Sequence, residues 1–206
     1  MCGIVGYVGY DEAAGKIIEG LKKLEYRGYD SSGIAVLSDK GIELNKCKGE
    51  IENLENMIAG RVPSGTCGIG HTRWATHGAP SDVNSHPHMD QSGRVALVHN
   101  GIVENYVELK ETLIKEHGIK FKSETDSEVI AQLVGVKYNS NGGDLEKAVY
   151  DATKEMRGTY AIGVIAEDTS NKIVAYRKEA PLIAGIGRKS NFIASDIPAL
   201  LKYTND

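Results

Sequence analysis

Apolar residues near the start of the chain, Ile4-Val5-Gly6-Tyr7-Val8, form a short continuous run that predicts a strand buried on both faces. Behind it Ile17, Ile18, Leu21 and Leu24 fall on one helical face, predicting a helix capped by Asp11 and ending near Gly28. Ile34-Ala35-Val36-Leu37 and Ile42-Glu43-Leu44 flank Asp39-Lys40-Gly41, the signature of two strands joined by a hairpin loop. Ile51, Leu54 and Ile58 predict a short helix. Cys67-Gly68-Ile69-Gly70 predicts a strand leading into a long polar loop from about His71 to Gly93. A loop of that length inside a compact domain is usually functional.

Val95-Ala96-Leu97-Val98 predicts a second strand covered on both faces, stopping at Asn100-Gly101. Helical spacing resumes with Tyr106, Leu109 and Leu113. Thr125-Asp126-Ser127-Glu128 is a capping box, with Thr125 as cap, Glu128 at the third helical position and Val129, Ile130, Leu133 and Val134 as the stripe behind it. Another helix runs from Asp144 to Gly158 with Leu145, Ala148, Val149, Ala152 and Met156 facing inward. Four strands follow, at 160–166, 172–176, 182–186 and 192–194. Strands come in hairpin-like pairs and helices in a separate block, so the class is α+β, two antiparallel sheets with outer helices rather than a doubly wound parallel sheet. No repeat or linker interrupts the pattern, and residues 1–206 are expected to form one domain.

Composition narrows the function. The chain is 41% hydrophobic and 25% charged with a net charge of -4 and no basic cluster, which argues against a nucleic-acid partner. No apolar run reaches the roughly 20 residues of a membrane span, and the start of the chain lacks the basic flank and apolar stretch of a signal peptide, so a cytoplasmic location and no membrane partner are expected. Cys2, Cys47 and Cys67 form no CxxC and leave an odd count, which points to a reducing compartment with Cys47 and Cys67 as buried fillers. His86-Pro87-His88 is accompanied by neither HExxH nor a cysteine knuckle, so no metal is expected.

The candidate chemistry starts at residue 2. Removal of Met1 would leave Cys2 with a thiol and a free α-amine, a nucleophile and its base within one residue, because an N-terminal amine titrates at about 7.7–8.0. The plain alternative is a small apolar residue opening a buried strand. Arg73 offers a planar fork for a carboxylate, with the Thr76 hydroxyl beside it; Asp126, at a helix start, can hold an ammonium group. The Asn100 amide and the Gly101 N–H offer two donors to a tetrahedral oxyanion. Each has its bland counterpart: a surface ion pair for Arg73, dipole compensation for Asp126, a turn for Asn100-Gly101. Trp74, the single tryptophan, is either a core anchor or, given its polar surroundings, a gate.

Taken together with Cys2-Gly3-Ile4-Val5-Gly6, several collinear runs carry a resemblance. They are Leu24 to Gly33 (with Tyr26-Arg27-Gly28-Tyr29-Asp30 inside it), His71 to Gly78, Asn84 to His88, His99 to Asn105, Ser123 to Ile130, Arg157 to Ala161 and Phe192 to Asp196. The chain resembles the glutaminase domains of class II glutamine amidotransferases, the N-terminal-nucleophile hydrolases, and its Arg73-Trp74-Ala75-Thr76-His77-Gly78 form favours their amino-sugar branch. The resemblance implies a four-layer αββα sandwich and an L-glutamine site. In that site Cys2 is the nucleophile, Asn100 and Gly101 are the oxyanion positions, and Asp126 is the α-amino anchor. Arg73, Thr76 and His77 belong to a glutamine-covering loop, and Trp74 is the gate for ammonia. It also implies C-terminal sugar isomerase domains that this chain does not contain. The chemistry expected is hydrolysis of glutamine to glutamate and ammonia through a Cys2 thioester, with no cofactor. Two alternatives stay open: the glutaminase half of another amidotransferase, and a glutamine-binding module without turnover.

Overall fold

A computed structural model describes residues 2–74, 78–169 and 171–204. Among these, β1 (Gly3–Val8), β2 (Ser31–Ser38), β3 (Gly41–Lys48), β4 (Cys67–Arg73), β9 (Ile183–Ile186) and β10 (Asn191–Ala194) form one antiparallel sheet in the order β3-β2-β4-β1-β10-β9. A second antiparallel sheet has the order β5-β6-β7-β8, from β5 (His88–Met89), β6 (Val95–Val103), β7 (Gly158–Ala166) and β8 (Val174–Lys178). Helices α1 (Ala13–Lys22) and α2 (Ile51–Ile58) pack on the first sheet; α4 (Asp126–Ser140) and α5 (Leu145–Glu155) pack on the second, and α3 (Tyr106–His117) packs beside α4.

The period-2 alternation of strands sorts the core into three layers. On β1 and β2, Val5, Tyr7, Ile34 and Val36 face α1 and α2, while Ile4, Ala35 and Leu37 face the other sheet. On β6, Val95 and Leu97 meet α4 and α5, whereas Ala96 and Val98 meet the first sheet. These three apolar layers between four layers of backbone are the αββα sandwich. In the central layer the two sheets approach closely at Gly163, where a Cβ would lie 2.8 Å from Ile193 Cδ1 and that side-chain end would have to shift.

Several local expectations need correction. Helix α1 is shorter than its apolar spacing predicts, giving way after Lys22 to a single 3-10 turn over Glu25–Arg27, and its N-cap is Glu12, not Asp11. The Glu12 carboxylate accepts the Gly65 N–H at 2.9 Å, while Asp11 pairs with Lys16 at 3.2 Å. Strand β4 continues through His71 and Thr72 to Arg73, because these polar residues pair with β1 and β2 (Gly3 with Thr72, Gly33 with His71) where a loop is predicted. Likewise β6 runs past Asn100-Gly101 to Val103 against β7, with Gly101 at a φ of 111° rather than in a turn. Its Cβ position would fall 2.1 Å from Thr159 O, so both conformation and space demand glycine there. The capping box is half formed: Thr125 Oγ1 accepts the Glu128 N–H at 3.2 Å, but the Glu128 carboxylate turns to the N–H groups of Lys122 and Ser123.

Candidate active site

The central layer turns polar at one end. Following the inward-facing positions along each strand, Ile69 is succeeded on β4 by His71 and Arg73, and Val98 on β6 by Asn100; on β1, Ile4 is preceded by Cys2. The last β1–β4 pair is Gly3 with Thr72, which brings Cys2 and Arg73 together just beyond it. A cavity of about 30 Å³ is lined by Cys2, Arg73, Trp74, Gly101, Asp126 and Ser127, with His86, His99 and Thr125 completing the wall. The enclosed space is small, on the scale of a water molecule.

The Cys2 thiol lies at the end of β4. Trp74 N–H donates to Cys2 Sγ at 3.2 Å, and Sγ is 3.5 Å from Trp74 O. Burial pushes the thiol above its ordinary value, while the Trp74 N–H and the Arg73 guanidinium pull it down; desolvation prevails. A thiol so placed needs a base to become a nucleophile. The main chain of Cys2 is fixed from two sides, its carbonyl oxygen accepting Arg27 Nε at 3.3 Å and Asn100 Nδ2 at 3.1 Å. Gly28 packs flat against the same corner, where a Cβ would lie 2.7 Å from the Arg73 carbonyl carbon and 2.8 Å from Trp74 N.

Arg73 is buried and donates to Gly78 O at 3.2 Å. Burial lowers its pKa, opposed by the negative charges of Asp30 and Asp126. Asp126 opens α4, where the helix dipole favours its charge, and is buried; its Oδ2 accepts Val103 N–H at 3.0 Å. One guanidinium and one carboxylate thus border a single space beside the thiol, a complement to the two charged ends of a free amino acid. Gly101 borders it as well. Asn100 does not line it, but reaches it through the Cys2 carbonyl. Trp74 is half exposed with its ring edge-on to Tyr29 at 5.6 Å, which excludes the core-anchor reading. Thr76 and His77 lie outside the described residues.

Residues that sequence reasoning left without a role support this corner. Arg27 is held to Asp196 at 2.7 Å, and Tyr26 donates to the same carboxylate oxygen at 2.6 Å. Ser195 Oγ accepts the Ile4 N–H at 2.9 Å, locking β1 from the other side. His71 and His88 are buried behind the cavity and His86 and His99 in its wall, His71 stacking on His86 at 4.0 Å, and desolvation lowers the pKa of all four. No group of three or more His, Cys, Asp or Glu among the described residues is arranged to hold a metal ion. The signal that finds the inward polar residues is strand alternation carried past the last apolar residue. Arg27 and Asp196 have no such signal, because their contact spans 169 residues.

Two antiparallel sheets between helix layers, with Cys2 just before the first residue of a central strand, are the architecture of the N-terminal-nucleophile hydrolase fold. A family model described as a glutamine amidotransferase domain matches residues 71–202, and the chain belongs to that family. Over all 206 residues it is 58% identical to a Clostridium perfringens protein named glutamine–fructose-6-phosphate aminotransferase (isomerizing). A Thermus thermophilus protein of the same name is 52% identical over 204 residues, 99% of this chain. In both cases the chain spans about a third, 33%, of the relative's length. Among solved structures, the Bacillus subtilis glutamine phosphoribosylpyrophosphate amidotransferase superposes with a TM-score of 0.83 at 27% identity, covering 98% of this chain and 44% of that one. No helix among the described residues is long and apolar enough to cross a membrane.

Proposed function

We propose that these 206 residues are the glutaminase domain of a glucosamine-6-phosphate synthase and hydrolyse L-glutamine to glutamate and ammonia. The observation that carries the reading is a single space bordered by Cys2, Arg73, Gly101 and Asp126. In the scheme, Arg73 binds the glutamine α-carboxylate and Asp126 its α-ammonium, setting the side-chain amide against Cys2 Sγ. After Met1 is removed, the Cys2 α-amine takes the thiol proton directly or through one water as sulfur attacks the amide carbon. Asn100 Nδ2 has a second hydrogen beyond the one given to the Cys2 carbonyl, and with Gly101 N–H it stabilises the oxyanion. The ammonium form of the base returns its proton to the leaving nitrogen, ammonia departs, and water opens the γ-glutamyl thioester to glutamate and free thiol. Thr76 and His77 complete the cover over glutamine, and Trp74 gates ammonia.

The relatives' length and names support the second half of the proposal: C-terminal sugar isomerase domains that accept the ammonia onto fructose 6-phosphate. The test measures ammonia release from glutamine and intact mass on one sample. Protein lacking Met1 should release ammonia and Cys2→Ala protein should not. Processed wild-type protein that binds glutamine without turning it over would leave only the binding-module reading.

A further inference from the structure

The polar end of the central layer contains a histidine that borders no substrate space yet controls a group that does. His71 Nε2 lies 3.0 Å from His99 O and 2.9 Å from Asn100 Oδ1. A carbonyl oxygen only accepts, so a nitrogen at 3.0 Å from it must carry the hydrogen. That makes His71 the Nε2–H tautomer, its hydrogen shared between two oxygens. Its Nδ1 is buried and has no hydrogen-bond partner among the described residues, as a bare lone pair is and as an N–H group rarely is. The ring is held in place by pairing of its backbone on both sides, with Ile4 and Gly33, and by stacking on His86 at 4.0 Å with 13° between the planes.

The tautomer fixes Asn100. An amide group offers oxygen on one side and NH2 on the other; the side facing His71 Nε2–H must be oxygen, so NH2 faces the Cys2 carbonyl, 3.1 Å away. Reversed, the amide would oppose N–H to N–H at one end and oxygen to oxygen at the other. We infer that His71 is a positioning residue: through its Nε2–H it locks the Asn100 amide with both hydrogens on the nucleophile side, one bound to Cys2 and one aimed at the oxyanion. This rests on the glutaminase reading above and adds to it a residue outside the cavity. Burial, which drives the His71 pKa down to about 3, keeps the ring neutral and the tautomer single across the physiological range.

The experiment compares processed wild-type protein with His71→Phe, which keeps a ring but no donor, and His71→Gln, whose Nε2 can replace the donor. Loss of a whole oxyanion donor costs about 10²–10³ in kcat, and loss of its orientation is expected to cost roughly 10–100-fold. For His71→Phe we expect that fall in kcat with KM for glutamine and binding of glutamate changed less than about threefold. The same factor should be lost in inhibition by glutamate γ-semialdehyde, whose thiol adduct is tetrahedral. His71→Gln should recover most of both. In an Asn100→Ala background, His71→Phe should have no further effect on kcat. A folded His71→Phe protein with wild-type kcat, or equal losses in aldehyde and glutamate binding that His71→Gln does not recover, would overturn the assignment. Should His71→Phe fail to fold, nitrogen-15 histidine NMR of wild-type protein decides: an Nδ1–H or doubly protonated His71 at pH 7 overturns it. Absence of turnover in processed wild-type protein instead removes the glutaminase reading, and the NMR result still stands or falls by itself.

Discussion

The Asn100 side-chain amide donates to the main-chain carbonyl of Cys2, 98 residues away, at 3.1 Å. The bond ties the residue before the first strand of one sheet to a central strand of the other, at the point where the proposed mechanism brings nucleophile and oxyanion donor together. Asn100→Ala is therefore expected to reduce kcat about 10²–10³-fold with little change in KM. Steady-state ammonia release checks this, and a variant with wild-type kcat would remove Asn100 from the mechanism.

Arg73 and Asp126 are expected to act on binding. In a Cys2→Ala background, which prevents turnover, Arg73→Lys loses the fork geometry and Asp126→Asn loses the charge. Each hydrogen bond to a charged group is worth about 1.5–3 kcal/mol, so glutamine affinity by calorimetry should fall roughly 10–100-fold for each variant. Affinity unchanged in both would mean that glutamine sits elsewhere.

Gly28→Ala tests the packing under the nucleophile. The added methyl meets backbone atoms of Arg73 and Trp74 at 2.7–2.9 Å, and backbone cannot swing aside as a side chain can. Overpacking of this kind costs about 1–3 kcal/mol. Displacing Trp74 N from Cys2 Sγ should also lower activity beyond what the stability loss explains. Thermal unfolding and single-turnover rates on one preparation separate the two effects, and a fully active variant of unchanged stability would show that the corner yields freely.

The buried histidines predict acid sensitivity. His71, His86, His88 and His99 have folded pKa values below the unfolded value of about 6.5, so the unfolded chain binds more protons once pH drops below that value. Their contribution is fully present above about pH 6.5 and is lost as pH falls, down to about 3 for His71. Each histidine kept neutral at pH 5.5 costs about 1.4 kcal/mol there. Urea midpoints should fall between pH 7.5 and 5.5, a window in which ordinary carboxylates titrate little. A flat profile would contradict the burial of these rings.

Strongly periodic segments were legible from the chain alone: the stripes Ile17-Ile18-Leu21 and Leu145-Ala148-Val149-Ala152, and the hairpin at Asp39-Lys40-Gly41, all lie where the spacing puts them. The strands β4 and β6 extend beyond their apolar patterns for one physical reason. Their ends carry His71, Arg73 and Asn100 on the inward face, where an apolar residue normally signals a strand, so the site itself erased the pattern. The residues proposed for chemistry could be named because their types match the ends of an amino acid. Arg27, Asp196 and His71 could not, since their importance lies in what touches them across the fold.

The strand leading away from Cys2 is interior to its sheet, flanked by residues 67–73 on one side and 191–194 on the other. Strand β1 therefore has both neighbours only once residues 191–194 are in place, and Arg27 waits equally long for Asp196. A nascent chain stopped short of residue 191 would carry every proposed reacting group and still be unable to hold them in register. Activity should therefore appear in a single step when residues 191–196 join the sheet, and not accumulate as the polypeptide lengthens.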